Sequence, residues 1–193
     1  MEIKSLYTSD DIEIKKFGFR AFHLNKLQNS GIKIPQGLMI SFQKNEFPLL
    51  KNDLEKNEFF YRTNLFTLRS SSTDELSMKP RTILGIGLNE TLINSFSSEK
   101  DILYFYKMYI KFIEEFSFLI FGLNTDIFEE ISDHYVNKKN DFESIDKNIN
   151  FLKAITLEYK KIFYKNVCQN FPDDKFRQLK LALNFFKSTS QNV

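Results

Sequence analysis

The chain has 193 residues, and 42% of them are hydrophobic. Its 27 basic and 25 acidic side chains leave a net charge of +2. This near-neutral balance argues against the concentrated basic face of a nucleic-acid-binding protein. No apolar run approaches the roughly 18–20 residues of a membrane span, and the N-terminus lacks a hydrophobic signal core, so we expect a soluble protein without membrane contact. The single cysteine, Cys168, excludes an internal disulfide framework and suits a reducing compartment, which predicts a cytoplasmic protein with one core divided into two lobes.

The first 95 residues predict a small α/β lobe. A helix is expected over residues 21–29, ending at Gly31, because glycine is common just past the end of a helix. Short apolar runs predict three buried strands. These strands cover residues 37–42, 64–69 and 81–88, and a second short helix is expected over residues 49–57.

Residues 96–170 predict a helical lobe, and residues 171–193 a helix that returns toward the first lobe. Ser98 is the expected N-cap of a long helix that ends at Gly122. Aromatic residues recur along this helix at intervals of three and four, which predicts that they face the core.

Two further helices are expected before the last one. The first covers residues 125–138, with Thr125 or Asp126 as its cap. A polar, exposed connection follows over residues 137–148, and the next helix covers residues 149–171.

Metal and nucleophile chemistry have little support in the sequence. His23 and His134 lie far apart without partners at ligand spacing, so we expect both on helix surfaces or ends. Cys168 has no local base, which favours burial as a small hydrophobic residue. Four acidic pairs are best explained by helix starts and solvated helix faces. They are Asp10-Asp11, Glu114-Glu115, Glu129-Glu130 and Asp173-Asp174.

Arginine is the most informative charged residue, because only five occur, at positions 20, 62, 69, 81 and 177, against many lysines. The planar guanidinium group binds phosphate in a way that lysine cannot reproduce. Arg69 leaves a predicted strand directly into the hydroxyl-rich segment SSSTDE. This arrangement suits a polyphosphate site, and it suits equally a Ser/Thr turn that caps the next element.

Several motifs occur in a recognisable order. FGFRAFHLNKLQNSGIKIPQGLMIS (17–41) carries a glycine turn, a helix and an extended Ile-Pro segment, and LRSSSTDELSM (68–78) carries an arginine before a serine-rich loop. TILGIGLNE (82–90) and two segments of the helical lobe, 109–130 and 170–188, follow. In this order they resemble the nucleotide-binding domain of the pyruvate, phosphate dikinase and phosphoenolpyruvate synthase family, with the dikinases as the better match.

The resemblance implies an α+β fold that is a partial ATP-grasp domain, with a small mixed β-sheet lobe and a helical lobe. It implies binding of ATP with Mg²⁺. Arg20 takes the position of a lysine on the ATP phosphates, and Arg69 that of a phosphate-clamping arginine. Segment 77–85 resembles a remnant of the loop over the triphosphate. The implied nucleotide-binding residues are Arg20, Arg69, Ser70, Ser71, Arg81 and Thr82.

Departures from the family pattern affect the same elements. Phe19 and His23 stand where the family has a glycine and an asparagine. The glycine-rich loop is shortened and contains Pro80, which has no N–H to donate. Glycine normally lets a backbone approach phosphate closely, so these changes weaken the cradle.

The resemblance covers one part of the family's catalytic apparatus. The half that holds Mg²⁺, the phosphohistidine domain and the pyruvate-binding barrel have no counterpart here, so we expect no catalytic or metal-ligating residue. The sequence therefore predicts the ATP-binding portion of a dikinase-like phosphotransferase, inactive alone and completed by a separate polypeptide. The alternative is a non-catalytic remnant or interaction module that has lost nucleotide binding.

Overall fold

The chain has an α+β, helix-rich fold in the computed structural model, which describes residues 2–41, 46–74, 81–137 and 145–190. This confirms the predicted α+β class. The elements are β1 (Glu2–Ser5), α1 (Ile14–Asn29), β2 (Leu38–Ser41), α2 (Phe47–Lys56), α3 (Glu58–Arg62), β3 (Phe66–Arg69), β4 (Thr82–Ile86), α4 (Glu90–Asn94), α5 (Glu99–Phe121), α6 (Asp126–Asn137), α7 (Ile145–Val167) and α8 (Lys175–Ser190).

The strands of the described ranges form two small antiparallel sheets rather than one mixed sheet. β1 pairs with β2, with Ile3 opposite Ile40, and β3 pairs with β4. The sequence predicted β2, β3 and β4 but not β1. The four residues of β1 carry only one strongly apolar side chain, Ile3, so β1 is recognisable only through its pairing with β2.

Residue contacts divide the chain into two compact units. The first contains residues 1–63, 68–82 and 186–193, and the second contains residues 64–67 and 83–185. A small core in the first unit joins the start of α1 to β2. Its buried members are Ile12, Phe17, Ala21 and Met39, with Leu6 and Phe22 packed against them.

A buried asparagine ties α1 to the segment that follows β1. The Asn25 side-chain amide donates to the carbonyl oxygens of Leu6, at 3.1 Å, and Thr8, at 2.8 Å. Asn25 is only 4% exposed, so these bonds satisfy a polar group that would otherwise be costly to bury.

The central helix of the second unit is α5, and both of its predicted ends are confirmed. The Ser98 hydroxyl accepts a hydrogen bond from the Asp101 amide, and Gly122 ends the helix in the left-handed conformation with φ 70°. The predicted core-facing aromatic stripe is also confirmed at four buried positions, Tyr106, Tyr109, Phe112 and Phe116. Tyr104 and Phe118 are exceptions, because 58% and 53% of their surfaces are exposed.

Phe171 lies among the rings of α5 and α7. Its ring centroid is 5.2 Å from that of Phe163 and 5.8 Å from those of Phe112 and Phe116, all in steep edge-on arrangements. Edge-to-face pairs of this kind add to the stabilisation that burial provides. These rings form an aromatic cluster within the core of the second unit.

The bounds of α7 correct two predictions. The helix begins at Ile145, so residues 145–148 of the predicted connection are helical, while residues 138–144 lie outside the described ranges. The helix ends at Val167, four residues earlier than predicted. Phe171 is therefore buried from the segment between α7 and α8, where helical periodicity does not apply.

The predicted burial of Cys168 is wrong. Cys168 follows the last residue of α7, adopts φ 57°, and is exposed, because the chain leaves the apolar face of the helix at this point. His23 is exposed on α1, as expected. His134 lies within α6, and its side chain lies outside the described part of the structure.

Candidate functional site

Gly18 interrupts α1 and creates a turn directly before the helical segment 19–29. Its backbone angles, φ 77° and ψ 169°, belong to a region that only glycine adopts readily. A Cβ atom at this position would lie 2.5 Å from both the carbonyl oxygen and the Oγ of Ser71. The first predicted helix therefore begins earlier than residue 21, at Ile14, and contains a break that glycine alone permits.

The loop after β3 packs against this helix start. The Ser71 Oγ accepts a hydrogen bond from the Ala21 amide at 3.2 Å, and the Ser72 carbonyl accepts one from the Phe19 amide at 2.8 Å. The first amides of a helix have no partner inside the helix. Ser71 and Ser72 therefore cap the segment 19–29 from a distant part of the chain.

Ser70 links the same loop to the start of β4. The Ser70 amide donates to the Arg81 carbonyl at 3.0 Å, and the Arg81 amide donates to the Ser70 Oγ at 3.0 Å. Through Ser70 and Ser71, the end of β3, the residue before β4 and the start of the helix form one hydrogen-bonded cluster. All of these residues belong to the first unit.

Arg20 lies within this cluster. The residue is half-buried, and its Nη1 atom is fully buried without a hydrogen-bond partner among the described residues. Leaving a buried charged donor unsatisfied is costly, and an anion would remove that cost. Arg69 is exposed at the end of β3. Convergence of the Arg20 and Arg69 guanidinium groups on one anion stays a prediction.

The ion pairs of the described ranges leave both arginines without an acidic partner. Arg62 shows the contrast, because its Nη2 lies 2.8 Å from Glu58 Oε1. A cationic side chain without an internal counterion remains free to bind an external anion. Within the described ranges, Arg20 and Arg69 therefore differ from Arg62 in lacking an acidic ion-pair partner.

The remaining sequence-predicted positions fall into three groups. Thr82 is exposed as the first residue of β4, and Arg81 is half-buried directly before it. Residues 75–80, including Pro80, lie outside the described ranges. Phe19 and His23, which replace family residues, stack on the surface of α1 with ring centroids 6.0 Å apart.

The sequence analysis missed Ser72, whose backbone carbonyl holds the Phe19 amide. The signal was the run of three serines, since only its first two members were assigned. It also missed a polar network in the second unit. There the Tyr109 hydroxyl donates to Asp173 at 2.5 Å, and the Lys160 Nζ lies 2.8 Å from Glu90 and 3.2 Å from Asp173.

This network has a structural role. Burial raises the pKa of the Tyr109 hydroxyl far above its usual value, and the hydrogen bond to Asp173 adds to the effect, so Tyr109 remains a neutral donor. The neighbouring Asp174 behaves as expected for an acid at a helix start, because its Oδ1 accepts from the Arg177 amide at 2.8 Å. Asp173 differs, since its partners lie on α5 and α7.

The described ranges contain no group of three or more His, Cys, Asp or Glu side chains arranged to hold a metal ion. None of their helices combines the length and the apolar composition that crossing a membrane requires.

Comparison with known proteins adds a distant relationship. No protein-family model matches the chain. The chain resembles pyruvate, phosphate dikinases. It is 22% identical over 188 residues to the chloroplastic pyruvate, phosphate dikinase of Flaveria trinervia, a match that covers 86% of this chain and 20% of that protein.

Two other pyruvate, phosphate dikinases match the chain at a similar level of identity. Identity is 23% over 163 residues to the chloroplastic enzyme of Flaveria pringlei, and 24% over 162 residues to the chloroplastic pyruvate, phosphate dikinase 1 of Arabidopsis thaliana. Each match covers 81% of this chain and 16% of the relative. The chain thus spans about a fifth, or less, of the length of the curated relatives it matches.

Proposed function

We propose that the chain is the ATP-binding portion of a pyruvate, phosphate dikinase-like phosphotransferase, with a partial ATP-grasp fold. The distant similarity to dikinases over most of the chain supports this proposal. The physical observation that carries it is the Nη1 of Arg20, two residues after the turn at Gly18, which is buried without a hydrogen-bond partner among the described residues. A phosphate oxygen is a suitable acceptor for this donor, because charge-assisted hydrogen bonds are the strong ones.

In this proposal the two arginines act as the phosphate anchors. Arg20 would donate to a phosphate oxygen from the helix, and Arg69 would clamp the phosphates from the end of β3. Ser70, Ser71, Arg81 and Thr82 would surround the nucleotide on the adjoining loop and strand. Because Arg has a planar fork of donors, both positions should require arginine rather than lysine.

Mg²⁺ does not fit these residues. The proposed nucleotide contacts offer guanidinium and hydroxyl groups and no carboxylate, whereas Mg²⁺ in phosphoryl-transfer sites is held by carboxylates together with the substrate phosphates. We therefore assign phosphate binding to this chain. In this proposal the metal-holding half, the phosphohistidine domain and the pyruvate barrel are supplied by other sequence, such as a separate polypeptide.

One observation favours the alternative, an interaction module that has lost nucleotide binding. Helix N-termini hold phosphate through their unpaired amides. At this helix start, however, the amides of Phe19 and Ala21 already donate to Ser72 and Ser71. If the arginines do not bind phosphate, this cap leaves the helix start with a purely structural role.

Isothermal titration calorimetry with ATP, with and without Mg²⁺, separates the two functions. We expect saturable binding by the 193-residue chain. Arg20→Lys and Arg69→Ala should each weaken the affinity roughly 10-fold or more, as expected for the loss of a charge-assisted hydrogen bond. Arg62→Ala is the matched control, because Arg62 is exposed and paired with Glu58, and it should bind ATP like the unmodified protein.

The same titration is repeated in the presence of a polypeptide that carries the other half of a dikinase nucleotide-binding domain. Absence of saturable heat in both arrangements would contradict the ATP-binding proposal and favour the interaction module. Equal affinity of the two arginine variants and the control would contradict the assignment of the anchors.

A further inference from the structure

Ser71 makes its contact with α1 from a position fifty residues away in sequence. Its Oγ accepts from the Ala21 amide, the third amide of the helical segment that starts after Gly18. The Ser71 hydroxyl takes the place of the side-chain acceptor of an N-cap residue, which Gly18 lacks because it has no side chain. The Ser71 side chain is therefore already engaged with the protein.

The position of Arg20 depends on this contact. Arg20 lies between Phe19 and Ala21, whose amides are held by Ser72 and Ser71 respectively. The loop that makes both bonds continues directly from Arg69. This loop can approach α1 closely because Gly18 has no side chain. A Cβ at position 18 would lie 2.5 Å from atoms of Ser71. The loop thus fixes the backbone on both sides of Arg20 relative to the backbone of Arg69.

We propose that Ser71 is a positioning residue, which sets the separation of the Arg20 and Arg69 backbones by capping the helix and does not itself contact the anion. This inference rests on the proposed phosphate-binding function. It changes the role that the family resemblance implies for Ser71, from a nucleotide contact to a support for Arg20.

The test combines amide hydrogen exchange with ATP titration on the full 193-residue chain. In Ser71→Ala, the Ala21 amide should exchange about fivefold faster, as expected for loss of a helix cap, and the dissociation constant for ATP should rise by a similar factor. Ser71→Thr keeps the hydroxyl and should restore both values to within about twofold.

Thr73→Ala is the matched control in the same loop. Thr73 is exposed and is not one of the two residues that bond to the amides of Phe19 and Ala21. Exchange at Ala21 and the affinity for ATP should both remain at the level of the unmodified chain, which separates the specific role of Ser71 from general loosening of the loop.

Each contrary result points to one failure. Unchanged exchange at Ala21 in Ser71→Ala overturns the cap, and if ATP affinity nevertheless falls, Ser71 contacts the ligand directly. Faster exchange with unchanged or tighter ATP binding overturns the positioning role alone. Absence of ATP binding by the unmodified chain overturns the proposed function, while the exchange measurement still reports whether the cap exists.

Discussion

Gln178 in the second unit and Arg20 in the first unit differ in how their polar atoms are satisfied. In the second unit, Gln178 is fully buried, and its side-chain amide is satisfied by three backbone partners. In the first unit, Arg20 is half-buried and has a guanidinium nitrogen without a partner. A satisfied amide stabilises a fold, whereas an unsatisfied cation favours a ligand. The comparison therefore separates a side chain with a structural role from an arginine of the candidate site.

The way each unit packs supports the same distinction. Edge-on rings around Phe171 form a cluster in the interior of the second unit. The first unit joins α1 to its neighbours through Gly18, Ser71 and Asn25, each of which makes or permits a backbone contact. Aromatic packing tolerates few changes, and the backbone contacts of the first unit depend on single small or polar residues.

The largest effect is expected in the second unit, for Gln178→Leu. The Gln178 amide accepts from Gly87 at 2.7 Å and donates to Leu88 at 3.1 Å and Pro172 at 2.8 Å. Leucine has a similar volume but leaves these buried groups without their partner, so the free energy of unfolding should fall by about 3 kcal/mol or more. Urea denaturation measures the change.

Gln169→Ala is the control for this substitution, because Gln169 is exposed and accepts a hydrogen bond from the exposed Arg177 side chain at 3.3 Å. It should alter the unfolding free energy by less than about 0.5 kcal/mol. Similar small losses in both variants would show that the Gln178 amide is not what joins these segments.

A smaller loss is expected in the first unit, for Gly18→Ala. A non-glycine residue at φ 77° and ψ 169° is strained, and the added Cβ would meet the Ser71 backbone, so the loss should be about 2–3 kcal/mol. Gly31→Ala is the matched control. Gly31 also has a positive φ, 82°, but a Cβ there would have no neighbour within 4 Å.

Thermal denaturation of the two glycine variants isolates the contact with Ser71. Gly31→Ala should cost about 1 kcal/mol from backbone strain alone. If both variants lose the same free energy of unfolding, the loop of Ser71 can move away at little cost. The close contact between this loop and Gly18 then contributes little to the stability of the first unit.

The smallest effect concerns the charge of Glu114 on α5. Burial raises the pKa of the Glu114 carboxyl, and the charges of Glu129 and Glu115 add to this. A pKa raised by folding means that ionised Glu114 opposes folding, so stability is lost as pH rises through the pKa of the folded state. Glu114→Gln should therefore raise the melting temperature at pH 7 by about a degree or two.

This advantage should disappear below the ordinary carboxyl pKa, where Glu114 is protonated in both states. Glu130→Gln, at an exposed position on α6, is the control and should change the melting temperature little at either pH. A gain for Glu114→Gln that persists undiminished at acidic pH would assign the effect to packing rather than to charge.

Local patterns were sufficient to predict much of the fold. The cap at Ser98 and the end at Gly122 depend on residues within one helical turn, and both were predicted correctly. The aromatic periodicity of α5 identified its buried face for the same reason. The predicted burial of Cys168 was wrong because helical periodicity was extended past Val167, where the helix ends.

The candidate site was only partly predictable. The arginines and serines were identified by residue type and by resemblance, and their assignment to phosphate stays a prediction. The loop containing Ser72 showed its importance only through its contact with Phe19. Polar partners in the second unit, such as Tyr109 and Asp173, lie 64 positions apart and follow no periodic pattern.

The amino-acid sequence by itself determined the two ends of α5 and most of its buried aromatic face, because these depend on interactions over three or four residues. The tertiary structure alone decided that Ser71 caps a helix fifty residues away and that Gln178 joins Gly87 and Leu88 to Pro172. Such contacts require a side-chain group and a backbone group to meet in space, and that meeting is set by packing rather than by neighbouring residues.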